Sequence, residues 1–339
     1  MTTEVTVLDV GHGNAAVAQD GDEVVVVDAG RGPTLLDQLE TQGILTVNHL
    51  VLSHADADHI GSAIALLSSH IVVKKLWYNA DAQKQSQLFE DLSTLASDKS
   101  DRGELNVSMS LNSAAKGEIS TENLSFEIMH PSVSWASTGP RDASHRGGEL
   151  TSNSMSAVVR ISGGSRSVLL CGDMDSRALL HLQQRNIDLT ADVLVFPHHG
   201  GHCDGDDQTF ARELAGAVQP ASVVFSLGRD GYSNPQPDIV LGVLEGSPAS
   251  HIACTQLSKR CHPTAVARDG HLASVPAAGR GLGKCCAGSL PFAPLTDSLS
   301  SPDLVSHLDF VKANVDTPLC LNLRRARDML DSDDPIASV

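Results

Sequence analysis

No stretch of the 339-residue chain approaches 18 uninterrupted apolar residues, so it offers no membrane-spanning helix. The opening residues, MTTEVTVLDVGHGN, contain neither a basic nor an apolar leader region and run straight into strand-like alternation. No secretory signal is expected, and a soluble, cytoplasmic protein with no membrane association is. Basic residues are in short supply. Lys+Arg number 24 against 41 Asp+Glu, for a formal net charge of -17. That balance excludes a protein that coats nucleic acid or anionic membrane non-specifically, while leaving room for a local basic groove. Cys-x2-Cys pairs are absent, so no standard zinc ribbon is present. Internal repeats are absent too, which excludes a solenoid. With 41% hydrophobic residues, however, the chain is too apolar to stay disordered.

What is present divides unevenly. From residue 250 onward nine Lys/Arg balance nine Asp with no Glu, whereas residues 1–249 carry the whole negative charge. Five of the seven cysteines also lie beyond residue 250. We expect two parts: a main domain over residues 1–248 and an irregular, cysteine-containing C-terminal extension over residues 249–339. Within the first part strand and helix signals alternate. Strands are predicted at Glu4–Val10, Glu23–Asp28, His49–Ser53, Leu124–Met129, Ser156–Ile161, Val168–Cys171, Asp192–Phe196 and Ala221–Ser226. Helices are predicted at Pro33–Gln42, Ile60–Ser69, Ser176–Leu182, Gln208–Val218 and Pro237–Leu244. The pattern is that of a layered protein in which helices cover sheet faces.

The strongest chemical signal is His54-Ala55-Asp56-Ala57-Asp58-His59, at the end of a predicted strand and the start of a predicted helix. Four donor side chains in six residues on one turn can converge on metal. Imidazole suits zinc and other transition metals, and carboxylate suits harder ions such as manganese. A second apolar strand ends in Gly172-Asp173, where a lone carboxylate would ordinarily serve as a helix N-cap. A third ends in His198-His199-Gly200-Gly201. A single centre at one edge of the sheets is the economical explanation of three such strand ends.

Together these strings, with Leu8-Asp9-Val10-Gly11-His12-Gly13-Asn14, Asp28-Ala29-Gly30, His130-Pro131, Asn153-Ser154, Ser226-Leu227-Gly228 and Asn234-Pro235, resemble the metallo-β-lactamase superfamily. They look most like the branch related to the soluble part of the competence protein ComEC/Rec2, without its membrane channel. The resemblance covers roughly residues 3–248. It implies an α+β fold, a four-layer αββα sandwich with metals at one edge.

Carried over residue by residue, the resemblance implies that His54 and Asp56 hold a first divalent ion. Asp58 and His59 would hold a second, with Asp173 bridging and His198 completing the second site. Zinc is the first choice of metal and manganese the alternative. Asp58 would orient a hydroxide, and His199 would be a ligand or the group that protonates the leaving oxygen. His130 and Asn153 are further possible ligands, and His12 a possible hydrogen-bond partner near the site. Two departures stand out: Asn14 where the branch commonly has Asp, and Asn234 where it has a His before proline.

The implied activity is metal-dependent hydrolysis of a phosphodiester, in a nucleic acid or a nucleotide. Hydrolysis of a thioester, lactone or amide on the same fold is an alternative. A metal-containing partner-binding or sensor module with little activity is another, with the C-terminal extension as the protein-binding surface. In that extension Cys254, Cys261, Cys285 and Cys286 could form a structural zinc site; buried free thiols are the competing reading.

Overall fold

The computed structural model describes residues 3–81, 84, 86–140, 149–263, 269–293 and 304–332. Its strands form two sheets. The first contains β1 (Thr3–Val7), β2 (Ala16–Asp20), β3 (Glu23–Val27), β4 (Thr46–Val51), β5 (Val72–Trp77) and β6 (Asn106–Ser108). The second contains β7 (Ser125–His130), β8 (Val158–Gly163), β9 (Arg166–Leu170), β10 (Val193–Val195), β11 (Ser222–Phe225) and β12 (His251–Cys254). A last strand, β13 (Leu290–Phe292), returns to the first sheet. The orders are β13-β1-β2-β3-β4-β5-β6 and β12-β11-β10-β9-β8-β7. Strands β3 to β6 are mutually parallel, as are β9 to β12, and the remaining neighbours are antiparallel.

The run Glu23-Val24-Val25-Val26-Val27 explains why β3 is central. Its side chains alternate between faces, and both faces are buried. Val25 and Val27 enter the core between the sheets, where they meet residues such as Phe126, Val159, Leu170 and Val195. Val24 and Val26 join the opposite layer with Leu35, Leu39 and Leu66 from the helices Thr34–Thr41 and Ala63–Ser68. The outer face of the second sheet is covered in the same way by the helices Ser176–Gln184, Asp207–Val218 and Pro237–Gly246. Helix, sheet, sheet and helix layers follow in turn, which is the four-layer αββα sandwich of the metallo-β-lactamase fold.

The structure departs from expectation in three places. The single helix expected over Ile60–Ser69 is two short ones, Ala57–Ile60 and Ala63–Ser68, because the Ser62 N–H donates to the Ala29 carbonyl instead of continuing the helix. Strands β2 and β5 and the helix Gln87–Asp101 carried no clear periodic signal. In β5 the pair Lys74-Lys75 interrupts the apolar run.

The third departure concerns the C-terminal part. The boundary at residue 248 falls in a loop between the helix Pro237–Gly246 and β12, and residues beyond it supply an outer strand to each sheet. Buried Asp9 ties this part to the N-terminus. It accepts hydrogen bonds from Gln256 Nε2 at 2.9 Å and from the Gly279 N–H at 2.9 Å. A composition change marked residue 248, but composition carries no information on strand pairing.

Asp20, at the end of β2, joins the first sheet to the segment entering β7. Its carboxylate accepts from Thr3 Oγ1 at 2.7 Å, Thr121 Oγ1 at 2.7 Å and the Asn123 N–H at 2.6 Å. Burial raises the carboxyl, but these donors outweigh it and hold its pKa at about 2, against an ordinary value of 3.8. A lowered folded-state pKa contributes stability above 3.8, and that stability is lost as pH falls through about 2. After allowance for solvent screening the contribution is about 1 kcal/mol. Asp20→Ala is expected to cost about 1–2 kcal/mol at neutral pH. It should also flatten the stability curve between pH 4 and pH 2, as urea unfolding at each pH would show; parallel curves for the two proteins would refute the assignment.

Candidate metal centre

The parallel strands of both sheets end at one edge, the usual place for a ligand site in α/β sheets. Asp28 follows β3, Ser53 to His59 follow β4, Asp173 follows β9, His198 and His199 follow β10, and Ser226 follows β11. Backbone crowding there demands special residues. Gly13 has φ +145°, and a Cβ on it would lie 2.3 Å from the Asp58 carbonyl oxygen. Gly172 has φ +52°, and its Cβ would meet Ser156 Oγ at 2.3 Å. Asp28, His198 and His199 adopt positive φ without being glycine. Such conformations cost roughly 1–3 kcal/mol each and cluster where side chains must be aimed.

Three imidazoles are oriented by acceptors on their Nδ1 atoms. His59 Nδ1 lies 2.7 Å from Asp28 Oδ2, and His199 Nδ1 lies 2.7 Å from the Ser226 carbonyl oxygen. His54 Nδ1 lies 3.1 Å from Ser53 Oγ, whose own hydrogen is donated to Asp28 Oδ2 at 2.9 Å. With Nδ1–H committed in each ring, each Nε2 presents its lone pair to the same space. Asp173 occupies the middle. Its Oδ1 is 2.9 Å from His59 Nε2 and 3.7 Å from His199 Nε2, and its Oδ2 is 3.6 Å from His54 Nε2. All three Nε2 atoms and Asp173 Oδ1 are buried without a hydrogen-bond partner. Such atoms normally find one, so their convergence fits a bound cation.

Among the described residues, two groups place three ligand atoms within 4.8 Å of one another. They are His54, His59 and Asp173, and His12, Asp58 and His199. Asp58 Oδ2 lies 3.3 Å from His199 Nε2 and 3.7 Å from His12 Nε2. Burial raises the Asp173 carboxyl, yet the surrounding His59, His199 and His54 hold it well below the ordinary range. Burial, and then His199, pushes His12 down to about 4.

Several sequence-stated roles shift with this geometry. His59 groups with His54, where the two had been assigned to different ions. His199, not His198, reaches the second group, because the turn at Pro197–Gly200 directs the His199 ring inward onto Ser226. His198 stays out of both groups, its N–H donating to the Gly172 carbonyl. Asp56 is 3.9 Å from His54 Nε2 and is ion-paired with Lys84. His130 is removed altogether: its Nε2 bonds the Ser154 carbonyl oxygen at 2.7 Å and its ring packs edge-on to Trp135. Asn153 sits in the following turn and accepts the Ser156 N–H through its backbone carbonyl. Asp173 is free of capping duty, since Asp175 caps the helix Ser176–Gln184. Asn234 is buried behind the Gly201 turn.

Sequence reasoning did not assign roles to Asp28, Ser53 or Ser156. Ser156 Oγ accepts the Asp173 N–H at 2.9 Å and lies 3.2 Å from His54 Nδ1. The signals in the sequence were the position of Asp28 at a strand end and its place in the string Asp28-Ala29-Gly30.

The four cysteines considered as one zinc site do not gather. Cys254, Cys261 and Cys286 line a small apolar cavity with Cys320, while Cys285 Sγ is directed at Asp9 Oδ2, 3.6 Å away. Cys285 bridges to Gln256 while the adjacent Cys286 N–H donates to the Thr255 carbonyl, and the two thiols lie in different surroundings. Neither metal-competent group among the described residues includes a cysteine.

Comparison with known proteins agrees with this fold. The chain is 25% identical over 211 residues to ComE operon protein 3 of Bacillus subtilis, a match covering 61% of this chain and 23% of that protein. It is 25% identical over 236 residues to Recombination protein 2 of Haemophilus influenzae, covering 67% of this chain and 24% of that one. The chain thus spans about a quarter of the length of these curated relatives. Among solved structures, the metallo-beta-lactamase fold protein YhfI from Bacillus subtilis superposes with a TM-score of 0.45 at 14% identity, covering 75% of this chain and 96% of that one. Among the described residues, no helix is long and apolar enough to cross a membrane. The two sheets and their outer helices have the metallo-β-lactamase fold, and residues 8–84, which include the His54–His59 turn, match the family described as the metallo-beta-lactamase superfamily.

Proposed function

We propose that the protein is a divalent-metal-dependent hydrolase of phosphodiester bonds, acting on a nucleic acid or a nucleotide. The observation that carries the metal reading is the convergence of three buried, partnerless imidazole Nε2 atoms on Asp173. His54, His59 and Asp173 would hold one ion. Asp58, His199 and His12 would hold the other, with Asp173 facing both. Zinc is the first candidate because imidazoles dominate the donor set, and manganese the second because carboxylates share in it. Divalent ions in such a site generate a nucleophile from water near neutral pH and offset charge developing on the phosphoryl oxygens.

The chain's own groups then position and balance charge. Asp58, 23% exposed, is the donor at the open side and suits orientation of the attacking water. Of the two roles expected of it, His199 is assigned that of ligand and not of proton donor, since its Nδ1–H is bound to a backbone carbonyl and its Nε2 lone pair faces the cluster. The carboxylate-rich edge of the site, with Asp56, Asp58 and Asp173, supports multiple bound cations and thereby an anionic diester substrate. The likeness to Recombination protein 2 supports a nucleic-acid context.

The test is elemental analysis of the purified protein combined with a panel of DNA, RNA and nucleotide diesters, with nitrocefin and a lactone as comparison substrates, each with zinc or manganese added. Metal-dependent cleavage confined to the diesters is expected. Cleavage of the lactone or nitrocefin alone would overturn the assignment.

A further inference from the structure

We infer that Tyr232 forms a stacking subsite for a nucleobase beside the His12, Asp58 and His199 group, so that the substrate is a base-bearing diester and not a simple alkyl one. The chain has only two tyrosines, and this one is 62% exposed at the mouth of the site. Its ring centroid is 4.3 Å from that of His12 at an interplanar angle of 35°, and His12 in turn lies 4.4 Å from His199. One face of the phenol therefore rests on a site histidine while much of the ring remains open to a ligand.

The ring is also held in place. Gly228, at the start of this loop, packs so tightly on the Gly11–His12 backbone that a Cβ there would lie 2.5 Å from His12 N. The Arg229 N–H donates to Gln256 Oε1 at 2.9 Å. Lys259 Nζ donates to the Gly231 carbonyl at 3.1 Å, and Arg260 Nε to the Ser233 carbonyl at 2.9 Å. These bonds brace the backbone on both sides of Tyr232. They also bring Lys259 and Arg260 to the loop beside the site, in a chain of formal charge -17, while the Arg229 guanidinium is turned onto the Leu257, Ser258 and Cys261 carbonyls. An aromatic platform bordered by cations, next to a phosphoryl-binding edge, is the combination by which proteins hold single-stranded nucleic acid, each stacked base contributing about 1–3 kcal/mol.

The inference rests on the phosphodiesterase reading, and the experiment separates the two. Metal-loaded wild type, Tyr232→Ala and Tyr232→Phe are assayed on a short oligothymidylate and on an abasic oligomer with the same phosphate backbone. The preference for the base-bearing strand, as a ratio of kcat/KM values, is expected to fall by about 5- to 100-fold in Tyr232→Ala and to be restored in Tyr232→Phe. A ratio unchanged in Tyr232→Ala overturns the subsite. Calorimetric titration with thymidine 5′-monophosphate provides a readout independent of turnover. Wild type that binds the nucleotide through Tyr232 but cleaves no diester refutes the phosphodiesterase reading and leaves the subsite standing. Affinity that is the same in wild type and Tyr232→Ala overturns the subsite, as does failure of wild type to bind or cleave at all.

Discussion

Asp173→Ala is expected to remove bound metal and hydrolytic activity together. Among the described residues, Asp173 is the one carboxylate that faces His54, His59 and His199 at once, at 3.6, 2.9 and 3.7 Å. It stands on a rigid support: Gly172 at φ +52° turns the chain, and the Asp173 N–H is fixed on Ser156 Oγ. Loss of several kcal/mol of transition-state charge stabilisation corresponds to a fall in kcat on the order of 10³-fold or more. Stability supplies a second measurement. A ligand that binds only the folded state at 100 times its Kd adds about 2.7 kcal/mol, so zinc should raise the melting temperature of wild type. Asp173→Ala should show little or none of that rise. Full metal content in the variant by elemental analysis would refute the central role of this residue.

The second large effect is expected at Asp28, which touches no substrate. Its Oδ1 accepts the Ser53 N–H at 2.7 Å, and its Oδ2 accepts Ser53 Oγ and the His59 imidazole. Without this carboxylate the Ser53 N–H, the Ser53 hydroxyl and the His59 Nδ1–H are buried donors with no acceptor, so Asp28→Ala is expected to cost about 3–5 kcal/mol in urea unfolding. Asp28→Asn separates folding from function. Asn tolerates the φ of +61° found here and keeps one acceptor oxygen, so the fold should persist. The imidazole loses its carboxylate partner, and zinc affinity should drop by about 10- to 100-fold. Asp28→Asn with wild-type zinc affinity in a competition titration would show that Asp28 braces the backbone only.

Much of the centre was legible in the sequence. His54, Asp58, His59 and Asp173 stood at strand ends, and such positions in parallel strands project from a common edge. The alternation of strand and helix signals likewise pointed to buried sheets with helices outside. Other roles could not be read, for physical reasons visible at particular residues. His198 and His199 are adjacent and chemically identical; two consecutive left-handed backbone conformations decide which ring turns inward. His130 ends a strand as the ligands do, but its Nε2 is taken by a backbone carbonyl 24 residues away. Cys285 and Cys286 are neighbours in sequence, yet one thiol is directed at Asp9 and the other lines the apolar cavity. Cys320, distant in sequence, joins the other thiols only because the helix Leu319–Ser332 returns to that cavity.

The sequence by itself determined a layered protein with helices over sheet faces and the kinds of donor residue at its strand ends, because side-chain periodicity and residue type are local properties; the αββα order was implied by the family resemblance. It also determined the acidic balance that disfavours non-specific coating of nucleic acid, since net charge is a sum over residues. Only the tertiary structure decided how the donors are partitioned, which imidazole nitrogen faces inward, and that the C-terminal part closes both sheets. Those outcomes depend on contacts such as His199 with Ser226, His59 with Asp28 and Asp9 with Gly279, between residues that are 27, 31 and 270 positions apart. Spacing along the chain carries no record of such pairings; they are set when the sheets pack and each buried polar atom must find a partner.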